Sequence, residues 1–227
     1  MIRTVAETGS TNDDLAALAR MGEAEGLWLR AERQSGGKGR QGRQWESPVG
    51  NLHASTIVRL RDGDPPAPSL ALVAAVALHE AVSVHAGGIK IKWPNDLIAD
   101  GAKLAGILLE REGEAVIAGF GVNVADCPDM FGRPITCLKN LTEVAPDPAV
   151  LLEQLADSFA RWIRRWRQEG LDRLRPAWLE RAHPVGTALE TSEGTGLFDG
   201  LDSNGALRLR LADGTSRVIH AGDVFLI

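Results

Sequence analysis

The chain has 227 residues, a formal net charge of −5 and a pI near 5.6, and is 44% hydrophobic and 24% charged. That length gives room for one sizeable core and a small appended module, but not for two full enzyme domains. The acidic balance argues against a global nucleic-acid binder, so any such role needs a local basic patch.

Two cysteines, Cys127 and Cys137, make no disulfide framework, and a reducing cytoplasm is the compartment expected. Residues 1–9 contain no apolar signal core. The longest apolar run, 70–78, falls far short of the roughly 20 residues of a membrane span, so no membrane association is expected.

Residues 2–7 read as a short strand. Ser10, Thr11, Asn12, Asp13 and Asp14 then open a helix with an apolar stripe at Leu15, Leu18 and Ala19, stopped by Gly22. Ser10 with Asp13, or Thr11 with Asp14, is a near capping box, and on their own these hydroxyls read as caps. The other reading is that a helix N-terminus with hydroxyl and amide side chains holds a polar ligand.

A second strand covers 27–32, and the loop 33–45 follows. A third strand covers 51–60 and could lie at a dimer edge. Pro65, Pro66 and Pro68 form a linker, and Ser69 caps a helix reaching about residue 86. That helix is apolar nearly all round and therefore buried. Ile89, Lys90, Ile91 and Lys92 alternate like a half-buried strand. Residues 97–99 and 103–110 form a hairpin around Asp100 and Gly101. A strand follows over 116–122. The stretch 125–148 is loop-rich, with four prolines. Asp147 or Pro148 starts an amphipathic helix to about Gln168, and Trp178 sits in one more helical stretch. Beyond His183 and Pro184, turn signals at 202–205 and 213–214 separate β-rich runs over 206–211, 217–220 and 224–227. The fold class is α+β: a mixed β-sheet with helices over 1–182, and a small β-barrel-like module over 183–227.

The loop carries the most specific chemistry. Residues 33–43 hold Arg33, Lys38, Arg40 and Arg43, four glycines and no acid. Glycine lets backbone N–H groups approach a ligand, and arginine presents a planar fork to carboxylate or phosphate. Clustered cations repel unless an anion offsets them, so the loop is expected to order around a bound anion. Gly37, Gly39 and Gly42 spell G-x-G-x-x-G, but a dinucleotide fingerprint must open a helix. Here Trp45, Pro48 and Gly50 lead into a strand. Glu32 and Gly39 likewise break the P-loop pattern. The plain alternative is a flexible, solvated surface loop.

Lys92, Trp93, Pro94, Asn95 and Asp96 place an amide and a carboxylate at a turn fixed by proline. That is an Asx-type turn, or a pair of groups facing a nucleotide or Mg²⁺. Lys103 is a lone charge at the mouth of an apolar strand, snorkelling to water or aimed at an anion.

These motifs in this order resemble the biotin–protein ligase family, in its short form without an N-terminal DNA-binding domain. The resemblance runs from Ser10-Thr11-Asn12 through Gln34 and Gly37–Arg43 with Trp45, then Lys92–Asp96, Lys103–Leu108 and Gly119–Asn123. It implies a catalytic domain like those of class II aminoacyl-tRNA synthetases, followed by an SH3-like domain. It implies that biotin and ATP with Mg²⁺ give biotinyl-5′-AMP and pyrophosphate. A lysine of the biotin carboxyl carrier protein of acetyl-CoA carboxylase then takes the biotinyl group.

On that resemblance Ser10, Thr11, Asn12 and Gln34 hold biotin. Lys38, Gly39 and Arg40 hold its carboxylate and then the adenylate phosphate. Lys103 stands between carboxylate and α-phosphate, and Arg43 meets the triphosphate. Trp45, Asn95, Asp96 and Asn123 serve the nucleotide, and Mg²⁺ is carried mainly by the phosphates. The family's commoner arginine is replaced here by Lys38. A homodimer is possible, and DNA binding is not expected. The rivals are a lipoate–protein ligase or octanoyltransferase, and a non-catalytic nucleotide- or nucleic-acid-binding protein.

Three further features are set aside. His53, His79, His85, His183 and His220 lack metal-ligand spacing. Trp162 and Trp166, four apart on a helix, read as packing. Arg161, Arg164, Arg165 and Arg167 read as a solvated face.

Overall fold

The computed structural model describes residues 1–128 and 134–227. β1 (Ile2–Thr8) runs parallel to β2 (Trp28–Gln34), with α1 (Thr11–Arg20) as the crossover. β3 (Leu52–Arg59) returns antiparallel to β2. After α2 (Leu70–Ser83) come β4 (Ile89–Lys92), β5 (Asp96–Ala99), β6 (Ala102–Glu112) and β7 (Ala115–Val122). They complete a seven-stranded mixed sheet in the order β1-β2-β3-β7-β6-β5-β4. α3 (Pro148–Glu169) and α4 (Leu171–Arg181) follow. β8 (Ala188–Thr191), β9 (Gly194–Leu201), β10 (Leu207–Arg210), β11 (Ser216–Ile219) and β12 (Val224–Leu226) then form an antiparallel sheet in the order β11-β10-β9-β8-β12. The hairpin turn is as expected. Asp100 (φ 49°) and Gly101 (φ 77°) are both left-handed, which suits the twist of a two-residue hairpin.

The two faces of the large sheet are filled unequally. Side chains alternate along a strand, so Ala54, Val58, Ala118, Phe120 and Val122 point to one face and Ile57, Ala115 and Ile117 to the other. The first face is covered by α2 and α3. α2 is buried on nearly all sides, as its apolar sequence requires. Trp28, Phe120 and Phe159 meet there with ring centroids 5.5–5.7 Å apart. The second face carries only α1, through Leu15 and Ala19. The rest of that face is open to the glycine loop, and the cleft described below forms there.

Several expectations need correcting. β3 is no dimer edge: it lies in mid-sheet, paired on both sides, and all but its last residue is buried. Ser69 does not cap α2. Its hydroxyl donates to Pro66 O at 2.6 Å and accepts from Trp166 Nε1 at 2.8 Å, so it satisfies a buried indole. Asp147 does cap α3, accepting from Ala149 N at 2.7 Å. The arginine run is not wholly solvated. Arg167 is half-buried against Glu25 (2.7 Å) and Asp64 (3.3 Å), and donates to Arg59 O. A guanidinium already desolvated needs that many acceptors.

Cys127 and Cys137 are bonded to each other, with Cα atoms 5.4 Å apart. The compartment reading drawn from unbridged cysteines therefore loses its support. Residues 129–133 of the loop-rich stretch lie outside the described residues. Among the described residues, no helix is long and apolar enough to cross a membrane.

The two sheets meet around aromatic side chains. His183 is 4% exposed, and its ring packs edge-on to Phe198 with centroids 4.5 Å apart. Trp178 lies beyond, 6.3 Å from Phe198, and Trp93 Nε1 donates to Gly205 O. Burial, helped by the charge on Lys92 nearby, pushes the His183 pKa down to about 4.

A depressed histidine pKa means the folded chain holds fewer protons than the unfolded chain between that value and about 6.5. Stability is therefore intact above pH 6.5 and falls as pH drops towards 4. At about 1.4 kcal/mol per pH unit, His183 alone should remove about 2 kcal/mol between pH 6.5 and 5. Urea unfolding across that window measures it. His183→Phe should flatten the dependence, leaving the smaller contributions of His53 and His79, whose burial acts in the same direction.

Candidate functional site

The open face of the sheet becomes a cleft because three glycines stand where side chains would fill it. Gly106 on β6 and Gly119 and Gly121 on β7 point at the same face. The Trp45 ring lies over this floor. A Cβ on Gly121 would sit 2.5 Å from Trp45 Cε2, and one on Gly106 would sit 3.1 Å from Cζ3. A Cβ on Gly119 would overlap the Asn12 amide. The free volume of the cleft is about 80 Å³.

One end is neutral and built from hydrogen bonds. The N-terminus of α1 enters it with Ser10, Thr11 and Asn12, all buried. Their hydroxyls do not cap the helix as expected: Ser10 makes no side-chain cap, and Thr11 is drawn across to the strands. Gln34 Oε1 accepts from Thr11 N at 2.8 Å, and Gln34 Nε2 donates to Ser47 Oγ at 2.9 Å. Thr11 Oγ1 lies 2.7 Å from Ser55 Oγ, which donates to Asn12 Oδ1 at 2.6 Å. The side chains of this end are thereby held in one arrangement before any ligand arrives.

The other end is cationic. The loop after β2 makes only a short helical turn, Arg40–Gly42, and returns to β3, so neither nucleotide-loop pattern applies. Gln41 (φ 59°) and Gly42 (φ 72°) reverse the chain, and Gly39 N donates to Arg43 O at 2.7 Å. Arg40 donates to Asn95 Oδ1 (3.2 Å) and Gly222 O (3.2 Å), and Arg43 pairs with Asp223 at 2.9 Å. Lys38 grips both oxygens of Asp13 at 2.6–2.7 Å, and this hydrogen bond holds its ammonium above the usual lysine range. The loop was expected to take its negative charge from a ligand. The chain's own Asp13 and Asp223 already supply it, from positions remote in sequence.

Lys103 reaches the cleft floor. Its ammonium lies 2.7 Å from Asp96 Oδ1 and 5.4 Å from the Trp45 ring centroid. Asp96 also faces Lys92 at 3.8 Å, so one buried carboxylate is set between two lysines. Asn95 donates to Ile107 O at 2.6 Å, which fixes its oxygen towards Arg40.

Ser10, Thr11, Asn12, Gln34, Lys38, Gly39, Arg40, Arg43, Trp45, Asn95, Asp96 and Lys103 all line this one cleft. Asn123 does not. It is buried behind the cleft and donates to Thr136 O at 3.1 Å, holding the chain that runs beside Lys103. The sequence reading missed Ser55 and Asp223, which also line it. The spacing of Gly119 and Gly121 was a usable signal, since residues two apart share a strand face. For Asp223, in a tail 180 residues from Arg43, there was none.

Residues 7–124 match the biotin/lipoate A/B protein ligase family, and residues 187–227 match the biotin protein ligase C-terminal domain. A biotin–[acetyl-CoA-carboxylase] ligase of Paracoccus denitrificans is 39% identical over 97% of this chain and 98% of its own length. One from Mycobacterium tuberculosis is 33% identical over 97% of this chain and 86% of its own. The biotin protein ligase of Aquifex aeolicus, solved with biotin and ATP, shares the fold with a TM-score of 0.89. It is 23% identical over 100% of this chain and 99% of that one.

The close fit of Trp45 on Gly121 makes a measurable claim. Gly121→Ala should destabilise the chain by about 1–3 kcal/mol in urea unfolding, because the indole has to move. In a Trp45→Ala background the same substitution should cost much less, and equal costs in both backgrounds would contradict the contact.

Proposed function

Because the chain belongs to the biotin/lipoate A/B protein ligase family, we propose that it is a biotin–protein ligase, acting on biotin, ATP and a lysine of a carrier protein. The observation that carries this reading is the polarity of one cleft. A neutral, prearranged hydrogen-bonding end suits a ureido ring, and a cationic end suits a carboxylate beside phosphates.

In the first step a carboxylate oxygen of biotin attacks the α-phosphorus of ATP. The new O–P bond forms as the bond to the bridging oxygen breaks, and pyrophosphate leaves. Two anions must be brought together, and negative charge builds on the phosphoryl oxygens. Ser10, Thr11, Asn12 and Gln34 seat the ring, and Lys38, Gly39 and Arg40 receive the carboxylate. Lys103 stands at the junction, where a fixed cation lowers the barrier most. Arg43 receives the triphosphate, with Trp45, Asn95 and Asp96 beside the nucleotide. The arginines exchange Asp223 and Gly222 O for substrate oxygens. Asn123 acts only from behind, through the chain it holds.

Mg²⁺ would supply charge neutralisation at the triphosphate. The acids at the cleft, Asp96 and Asp223, are engaged by Lys103 and Arg43, and among the described residues no cluster of three metal-binding side chains occurs. The donor set therefore fits a metal held mainly by phosphates. In the second step the neutral ε-amine of the carrier lysine attacks the acyl carbon. An amide forms, AMP leaves, and the proton passes to solvent.

The carrier we infer is that of acetyl-CoA carboxylase, in the cytoplasm. We divide the chain into a catalytic module over 1–182 and a β module over 183–227, which supplies Asp223 to the cleft. A homodimer would have to use a surface other than β3.

The reading is tested by pyrophosphate release. Release should depend on biotin and not on lipoate or octanoate, and an apo carrier domain should then become biotinylated. Lys103→Ala should slow adenylate formation by about 10²-fold or more with the fold intact. An unchanged rate would remove Lys103 from the assigned role.

A further inference from the structure

Glu110 lies two residues past Leu108 on the cleft face of β6, outside the residues that line the cleft. Its carboxylate accepts from Asn12 Nδ2 at 2.6 Å. An ionised carboxylate can only accept. The Asn12 amide is therefore forced to turn its NH₂ to Glu110 and its oxygen to Ser55. Ser55 has one proton and gives it to that oxygen at 2.6 Å. Towards Thr11, at 2.7 Å, Ser55 can then only accept. Thr11 in turn has one hydroxyl proton and two acceptors in reach: Ser55 Oγ, and Gln34 Oε1 at 3.1 Å. The first needs the proton, since two oxygens at 2.7 Å without one repel. The second already receives Thr11 N–H at 2.8 Å. The lone pairs of Thr11 Oγ1 are what remain for the cleft.

We propose that Glu110 is a positioning residue: through Asn12 and Ser55 it sets the direction of this hydrogen-bond relay, so that Thr11 presents an acceptor to an N–H donor of the bound ligand. The proposal rests on the ligase reading, in which that donor is a ureido N–H of biotin. Without Glu110, the Asn12 amide is free to turn over. Ser55 then donates to Thr11, and Thr11 offers the ligand a proton where the ligand also has one. Sites that hydrogen-bond a ligand group are sensitive to such mismatches, because both partners end up buried and unpaired.

The test measures biotin binding by calorimetry on the full chain, alongside biotin-dependent pyrophosphate release. Glu110→Leu should weaken biotin binding about tenfold, while the rate at saturating biotin changes by less than about twofold. Glu110→Gln, which keeps one accepting oxygen, should weaken binding by no more than about threefold. Asn12→Asp puts two carboxylates in contact and should weaken binding at least as much as Glu110→Leu. Adding Glu110→Gln to Asn12→Asp should recover most of the loss. The carboxylate introduced on α1 then accepts from both Ser55 and the amide introduced on β6, and the relay keeps its direction.

Wild-type affinity in Glu110→Leu would overturn the proposal, and so would a double variant no better than Asn12→Asp alone. A uniform loss of rate and affinity in every variant, tracking thermal stability, would show a merely structural role and overturn it too. If the wild-type chain released no pyrophosphate with biotin, the ligase reading itself would fall. Release by the wild type together with indifference to Glu110 would sink this inference alone.

Discussion

Asn12 and Trp45 rest directly on the backbone of β7, and they can do so because Gly119 and Gly121 carry no side chains there. Everything else about the cleft follows from that bare strip. Helices fill the opposite face of the sheet, so the sheet is held rigidly from behind. On the cleft side, the N-terminus of α1 and the glycine loop approach from either end and meet over the strip. Small residues in mid-sheet weaken strand packing, and Gly106 adds a third on β6. The heavy burial behind them, including Trp28, Phe120 and Phe159, offsets that weakness.

The charges show a second constraint. A loop with four cations cannot fold onto itself unless opposite charge is close at hand. Lys38 takes Asp13 from the first turn of α1, and Arg43 takes Asp223 from the C-terminal β module. The loop is thus anchored to both modules, and the tail takes part in the wall of the cleft. Lys103 is treated in the same way by Asp96. Lys103 and Asp96 meet in a partly buried space, where an unpaired charge would be costly, whereas Lys38 and Asp13 pair at the surface.

Much of this was legible along the chain. The order of strands and helices follows from periodicity as far as α4, while β8 and β9 were not placed. Ala115 to Val122 runs apolar as a buried strand must, and α2 is apolar nearly all round. The motif residues also declared themselves, since twelve of them line one cleft. The errors came where a local rule competed with a distant partner. Ser69 looks like a cap until Trp166 arrives, and Thr11 looks like one until Gln34 and Ser55 do. Arg167 looks solvated until Glu25 and Asp64 surround it.

The sequence by itself determined which elements form, because helix and strand patterns depend on neighbours within a few residues. It also determined the chemical types gathered for the site: hydroxyls and amides in one motif, cations and glycines in another. Only the tertiary structure decided which cation meets which acid, that Asn123 stands behind the cleft, and that β3 lies in mid-sheet. It alone joined Glu110 to Thr11 through Asn12 and Ser55. Those relations link residues up to 180 positions apart. A hydrogen bond or ion pair acts over a few ångströms, so only the folded chain brings such partners within reach.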